Sequence, residues 1–377
     1  MIFPRGGPLR SFATIHPAMD PLTHTLVGAN LAATRLGRTT RLGAAALVVG
    51  ANLPDVDAWF YFTGDSDLAL GFRRGWTHGV LAIVVLPFIL TGLLLLYDRL
   101  RPSTERGVNG KWLLALSAIG VLTHPFLDWL NTYGMRWLMP FDGRWSYGDS
   151  VFIMDPFLWV VLGGFWLAGR APSRGLLAAW AFFSAAIAWV VAGRQTSYLI
   201  VVAVIALLLL GALLWRPRDA GRVSVRFATA ALVVAALYIG GRLLIHHFTV
   251  VQARDQFVAR QIVPSRILAS PHPFDPFRWE IVAEAGRVYR YGTFHWRDRD
   301  LLLDDHSIPV AQESPLWEAA RNDPSVEGFM TWVRFPWYEI RRTSEGTFVH
   351  IMDARRARRT TTGFGGVVVK VDEAKLR

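Results

Sequence analysis

The chain contains no cysteine. That excludes a disulfide framework and any thiolate metal site, so a bound metal would have to rest on histidine and carboxylate. Charge is also scarce: 18% of the 377 residues are Asp, Glu, Lys or Arg. A disordered chain would carry more charge and less apolar weight. Hydrophobic residues reach 52%, and mean hydropathy is +0.29. They stand in long runs separated by arginines, which is the pattern of a polytopic membrane protein and not of an ordinary soluble domain. No internal repeat or low-complexity segment is visible.

The net charge of +11 is unevenly spread. Residues 1–250 hold 21 basic and 12 acidic side chains, whereas 251–377 hold 19 and 17. The excess sits with the apolar half, where loop arginines orient membrane helices. A nucleic-acid binder would carry it as a stripe on a soluble domain, so no nucleic-acid partner is expected. Nothing in the sequence points to a protein partner.

A hydrocarbon core of ~30 Å takes roughly 17–25 residues to cross. Seven segments read as crossings: 43–60, 78–97, 112–130, 151–169, 176–193, 197–215 and 227–245. The stretch 22–36 is too short and reads as a half-helix or an interfacial one. Seven crossings place four basic groups on one side: Arg35 to Arg41, Arg99 to Lys111, Arg170 with Arg174, and Arg216 to Arg226. The positive-inside rule makes that side cytoplasmic. Beyond about 250 the composition turns to prolines and short alternating runs, the mark of a small β-rich domain. Strands are expected at 279–284, 287–294, 329–335, 346–352 and 366–371. The fold class is thus mainly α: about seven spans with a C-terminal β-rich extracytoplasmic domain. The expected division is an N-terminal extension over 1–18, with Met19 as an alternative start, a helical membrane domain over 19–248, a linker over 249–275 and the β-rich domain over 276–377.

Ionisable groups inside membrane segments cost about 2.5–3.5 kcal/mol each on insertion scales, so they need a reason. Here they are His24, Asp55, Asp57, His78, His124, Asp128 and Asp155. All are imidazole or oxygen donors of the kind that hold zinc, manganese or iron. The seven-span topology puts every one of them at the same membrane face. His124 and Asp128 are four residues apart, hence on one side of a helix. Asp55 and Asp57 flank Val56 just after Pro54, where a helix ends or bends. Each group also has a simpler reading. A histidine at a helix end can be satisfied by a neighbour, Asp55 and Asp57 can cap a loop, and His124 and Asp128 can bond each other. Asp155 before Pro156 is a normal helix start and stays a secondary candidate. Arg73, Arg74 and Arg136 lie near the same face, as holders of an anionic substrate or as interfacial anchors.

Four blocks in order resemble those of the YdjM-like inner-membrane metal-dependent hydrolases: Met19 to Gly28 (MDPLTHTLVG), Asn52 to Asp57 (NLPDVD), Arg74 to Gly79 (RGWTHG) and Thr123 to Asp128 (THPFLD). The longer members carry a C-terminal tail, and Pro276 to Trp279 is similar to a block at its start. The resemblance implies a multi-pass inner-membrane hydrolase with His24, Asp55, Asp57, His78, His124 and Asp128 as its metal-site residues. Residue 79 is commonly a hydroxyl residue in that family. Here it is Gly79, so a hydrogen bond to His78 is expected to be missing.

Together these readings predict one or two divalent ions, zinc first. His24, Asp55, His78, His124 and Asp128 would be ligands, and Asp57 the catalytic base or a ligand to a second ion. The substrate would be an ester or phosphodiester reached from the bilayer, with a lipid headgroup as leading choice. Two rivals are a non-catalytic sensor or scaffold and an ion-coupled transporter, which would place its polar groups near the midplane.

Overall fold

The computed structural model describes residues 20–376 apart from 64–65, 104–106, 170–172, 195–201, 204, 208, 211–219, 273–274 and 358–365. The extension expected at 1–18 and most of the segment 197–215 fall outside the described residues. The N-terminal part is helical: α1 (Pro21–Ala33), α2 (Gly43–Gly50), a 3-10 segment (Leu53–Thr63), α3 (Ser66–Phe72), α4 (Val80–Leu100), α5 (Gly110–Trp129), α6 (Pro156–Ala168), α7 (Arg174–Arg194) and α8 (Ala220–Ala259). Side chains start several of these. Asp20 accepts from the Leu22 N–H ahead of α1, Asn109 from Lys111 and Trp112 ahead of α5, and Asp155 from Phe157 and Leu158 ahead of α6. Each satisfies N–H groups that a helix start leaves without a partner.

Seven spans are not what the structure supports. Among the described residues three helices are long and apolar enough to cross: Val80–Leu100, Gly110–Trp129 and Ser224–Ala259. The segment 43–60 breaks at Asn52-Leu53-Pro54 into an eight-residue helix and a 3-10 segment. At ~1.5 Å per residue, α2 covers only about 12 Å. The segment 151–169 becomes helical only after Asp155, which leaves 13 residues and about 20 Å. Both are membrane-domain helices without being full crossings. The stretch 22–36 is short, as expected.

At 40 residues, α8 is about 60 Å long, twice a hydrocarbon core. Its far end therefore belongs to the C-terminal part: Ala253 and Phe257 are buried against Trp279, Ile281 and Phe294. The stretch 249–275, read as a linker, holds this helix end and all of β1.

The C-terminal part contains two antiparallel sheets. β1 (Arg266–His272), β2 (Asp275–Ala285), β3 (Val288–His295) and β4 (Asp300–Pro309) form one in sequence order. After α9 (Pro315–Arg321) and α10 (Glu327–Trp332), the second is built from β5 (Pro336–Thr343), β6 (Gly346–Asp353) and β7 (Gly366–Val371), with α11 (Ala354–Ala357) between the last two. Leu268, Val282 and Tyr291 of the first sheet share a core with Trp337 and Met352 of the second. The strand expected over 329–335 is instead mostly α10: Phe329 and Trp332, three apart, turn one face into the core of the second sheet.

The C-terminal part is anchored to the membrane domain at α3 and at the loop after α5. Both oxygens of Asp67 accept backbone N–H groups at the start of α10, from Gly328 and Phe329, each at 2.8 Å. A Cβ on Gly328 would meet the Asp67 carbonyl oxygen at 2.0 Å, so only glycine allows this approach. Arg334 forks onto Asp149 at 2.8 and 3.0 Å, and Arg355 donates to the Thr132 carbonyl at 2.8 Å.

Candidate metal centre

A glycine crossing brings the site together. A Cβ on Gly120 of α5 would lie 2.9 Å from the Leu47 carbonyl, and one on Gly50 of α2 would lie 3.1 Å from the Val121 nitrogen. With no side chain on either, α2 and α5 touch backbone to backbone. The Ala51 carbonyl, just past α2, then accepts from His124 Nδ1 at 2.7 Å. With Nδ1 carrying the proton, Nε2 presents a lone pair to the interior. The 3-10 segment carries Asp55 to the same place: its Oδ1 lies 3.6 Å from His124 Nε2.

His78 enters from the turn ahead of α4. Its Nε2 lies 3.2 Å from Asp128 Oδ2, which in turn lies 3.7 Å from His124 Nε2. One ligand atom from each of Asp55, His78, His124 and Asp128 therefore falls within 4.8 Å of every other. A tetrahedral ion with bonds of 2.0–2.2 Å keeps its ligand atoms about 3.3–3.6 Å apart, close to the spacings found. These four atoms are buried and make no well-formed hydrogen bond; the ion pairs that reach them from outside the group are Arg74 Nε at 3.0 Å from Asp128 Oδ2 and Arg73 NH2 at 3.5 Å from Asp55 Oδ1. Buried donors and acceptors are ordinarily hydrogen-bonded, so four that converge without such bonds fit a cation between them. Burial pushes His78 down, but the charge of Asp57 and the Asp128 contact outweigh it and raise it to about 9, so an ion bound here would have to displace a proton from this ring. Two imidazoles and two carboxylates suit a divalent ion of the zinc type.

The remaining expected residues surround these four. His24 is not in the group: its Nε2 bonds Asp128 Oδ1 at 3.1 Å, and its ring stacks on His124 with centroids 3.8 Å apart. Asp57 stands behind His78, with Oδ2 at 3.4 Å from Nδ1, and accepts from Thr77 Oγ1 at 2.7 Å and the Arg74 N–H at 3.2 Å. Burial pushes the Asp57 carboxyl up, but neighbouring His78 and Arg73 hold it below the usual carboxylate range. Arg74 is fully buried. Its Nε lies 3.0 Å from Asp128 Oδ2, and its NH1 donates to Asn131 and the Gly134 carbonyl. Arg73 NH2 lies 3.5 Å from Asp55. Arg136 is turned away, donating to the Gly71 and Arg73 carbonyls and lying over the Trp145 ring. Asp155 caps α6 and accepts from Tyr238 Oη at 2.7 Å, apart from the four.

Sequence reasoning missed Thr77. Its hydroxyl lies 2.8 Å from His78 Nδ1, on the residue before the histidine and not the one after it. Gly79 is small for a separate reason: a Cβ there would meet the Met139 carbonyl at 2.6 Å. Asn131 was also missed. It joins Arg74 to the turn after α5 and carries no signal of its own in a single sequence.

The comparison with known families decides what this region is like. Residues 19–197 match the family described as YdjM inner membrane protein. The match covers all four site residues and stops before α8 and the sheets. YfhP of Bacillus subtilis (strain 168), described as an uncharacterized protein, is 25% identical over 165 residues, 41% of this chain and 48% of that one. The chain thus spans about half the length of that relative. No solved structure matches. The YdjM match and the three long apolar helices, two of them inside the matched region, mark a membrane protein, and the four converging side chains form a group that could hold a metal ion.

Proposed function

We propose that the chain is a membrane-bound hydrolase of esters or phosphodiesters that works with one divalent ion, zinc first. Asp55, His78, His124 and Asp128 are its ligands. When bound, such an ion supplies Lewis acidity and lowers the pKa of a water from about 15.7 toward 7. The chain does the rest. Asp57 and Thr77 fix the His78 ring through Nδ1, and the Ala51 carbonyl fixes His124. His24 holds Asp128 by its other oxygen, so Oδ2 stays directed inward. Arg74 offsets the Asp128 charge. Asp57, already engaged by Thr77, Arg74 and His78, acts as a positioning carboxylate in this reading and not as the base.

The observation that carries the proposal is uneven cover. His78, His124 and Asp128 are closed off, whereas Asp55 keeps 15% of its side chain exposed. That is the side from which a water and a substrate can reach the ion. Four protein ligands also fill a tetrahedral shell, and this favours a second reading, a structural ion in a non-catalytic membrane scaffold. Full-length protein in nanodiscs, loaded with zinc, separates the two when offered a phosphodiester and a carboxyl ester. Hydrolysis that stops on chelation and falls in Asp55→Asn supports the enzyme. A retained ion with no turnover of either substrate supports the scaffold.

A further inference from the structure

The opening at Asp55 has an unusual rim. On the 3-10 segment that carries Asp55, the residues that follow it are apolar and bare: Val56 is 59% exposed, Trp59 71% and Phe62 81%. Trp76, two residues before His78, is 48% exposed. Phe141, 81% exposed, stands on the loop whose Trp137 carbonyl accepts the Val80 N–H at 2.7 Å. An apolar rim of this kind on a soluble surface would mark a partner site. Here it continues into the exposed apolar faces of two helices long enough to cross a membrane. α4 begins at Val80 and exposes Val80, Leu81, Val84 and Phe88 along a helix long enough to cross, and the last turns of α5 expose Leu122 and Phe126.

Level matters as much as composition. His78 lies just before α4, and Asp128 lies in the last turn of α5. The ion's position is therefore where two crossing helices leave the hydrocarbon, at the depth where tryptophan is enriched. Behind the opening, buried Arg73 places NH2 3.5 Å from Asp55 Oδ1. Apolar rim, interfacial depth and a guanidinium just behind Asp55 match an amphiphile with an anionic head.

We propose that the bilayer covers this rim and that a membrane phospholipid enters sideways, its phosphodiester head passing Asp55 while its acyl chains stay against Val56, Trp59 and Phe62. The chemistry rests on the hydrolytic reading above; the placement does not. In that chemistry the bond from phosphorus to the leaving alcohol breaks and a water oxygen bonds to phosphorus. One water proton ends on the alcohol and the other is released.

The test uses full-length protein in nanodiscs, with Trp59→Phe as the comparison. Bromines carried on the acyl chains near the headgroup should quench wild-type emission more than that of the variant, and aqueous iodide should not tell the two apart. Trp59 emission quenched by iodide, or reached by neither quencher as under a second copy or a protein partner, overturns the proposal. In the zinc-loaded wild type, a long-chain phospholipid should be cleaved with a kcat/KM many-fold above that of bis(4-nitrophenyl) phosphate. Cleavage of the soluble diester alone overturns lateral entry and leaves the hydrolase standing. Cleavage of neither, with bromolipid quenching intact, overturns the hydrolase and leaves the rim in the bilayer.

Discussion

Asp128 serves several partners at once. One oxygen takes His24, and the other meets His78 Nε2 at 3.2 Å and Arg74 Nε at 3.0 Å. Asp57 does a quieter job through His78 Nδ1. Groups placed behind a ligating histidine are typically worth about 10–100-fold in metal affinity. Asp57→Asn should therefore weaken zinc binding by roughly that factor while the protein stays folded, as read by titration against a competing chelator. Unchanged affinity would return Asp57 to the roles open to it from the sequence. In the C-terminal part, buried Asp353 accepts Arg355 Nε, the Arg334 N–H and the Arg355 N–H, each at 2.9 Å. Burial pushes its carboxyl up, but the Arg355 charge and these bonds outweigh that and hold it below the usual range. The folded-state value is depressed, so its stabilisation is fully present above an unfolded value of about 3.9 and is lost as pH falls through the folded one. Thermal melts should show the wild type losing stability across that acid range. Asp353→Asn should start lower and change less with pH. His124 and Asp128 were legible as a pair because a spacing of four fixes a helix face. That His24 stacks on His124 instead of joining the four is set by the packing of α1, which no spacing encodes.

Helix length explains which elements could be read. α4 and α5 are continuous apolar helices, and the sequence places both within about three residues of their observed bounds. The segments 43–60 and 151–169 carry as much apolar weight, but Pro54 and the Asp155-Pro156 start cut their helices short. Window hydropathy counts residues and does not see where a helix stops. The segment 329–335 misled in another way, since a short aromatic run fits a strand or one helix turn equally well. The pairing of α2 with α5 depends on Gly50 and Gly120, which look unremarkable in sequence. A valine at 120 would have to push its Cβ to 2.9 Å from the Leu47 carbonyl or force the helices apart. Gly120→Val should leave helical content by circular dichroism near wild type and lower zinc affinity, because the Ala51 carbonyl would withdraw from His124. Retained affinity would separate the crossing from the site.

At the scale of the whole molecule, the C-terminal sheets grip the loops that carry the site. Asp67 binds α10, and the same α3 leads through Arg73 and Arg74 to His78. Loop arginines predict that the α4–α5 connection is cytoplasmic and the sheets are on the other side. The absence of cysteine makes this directly measurable. Gly107, where an added side chain meets nothing within 4 Å, and exposed Glu345 are suitable positions. In intact cells an impermeant maleimide should label Glu345→Cys and spare Gly107→Cys. The reverse pattern would invert the topology and put the metal centre on the cytoplasmic face.

Four side chains from three separate stretches of the YdjM region are proposed to hold one divalent ion. Elemental analysis of the purified full-length protein beside His124→Ala and Asp128→Asn variants tests it most directly. The expected result is about one zinc-type ion per chain in the wild type and its loss in both variants, with folding confirmed by circular dichroism. A wild type with no ion after zinc loading, or folded variants that keep it undiminished, would contradict the account.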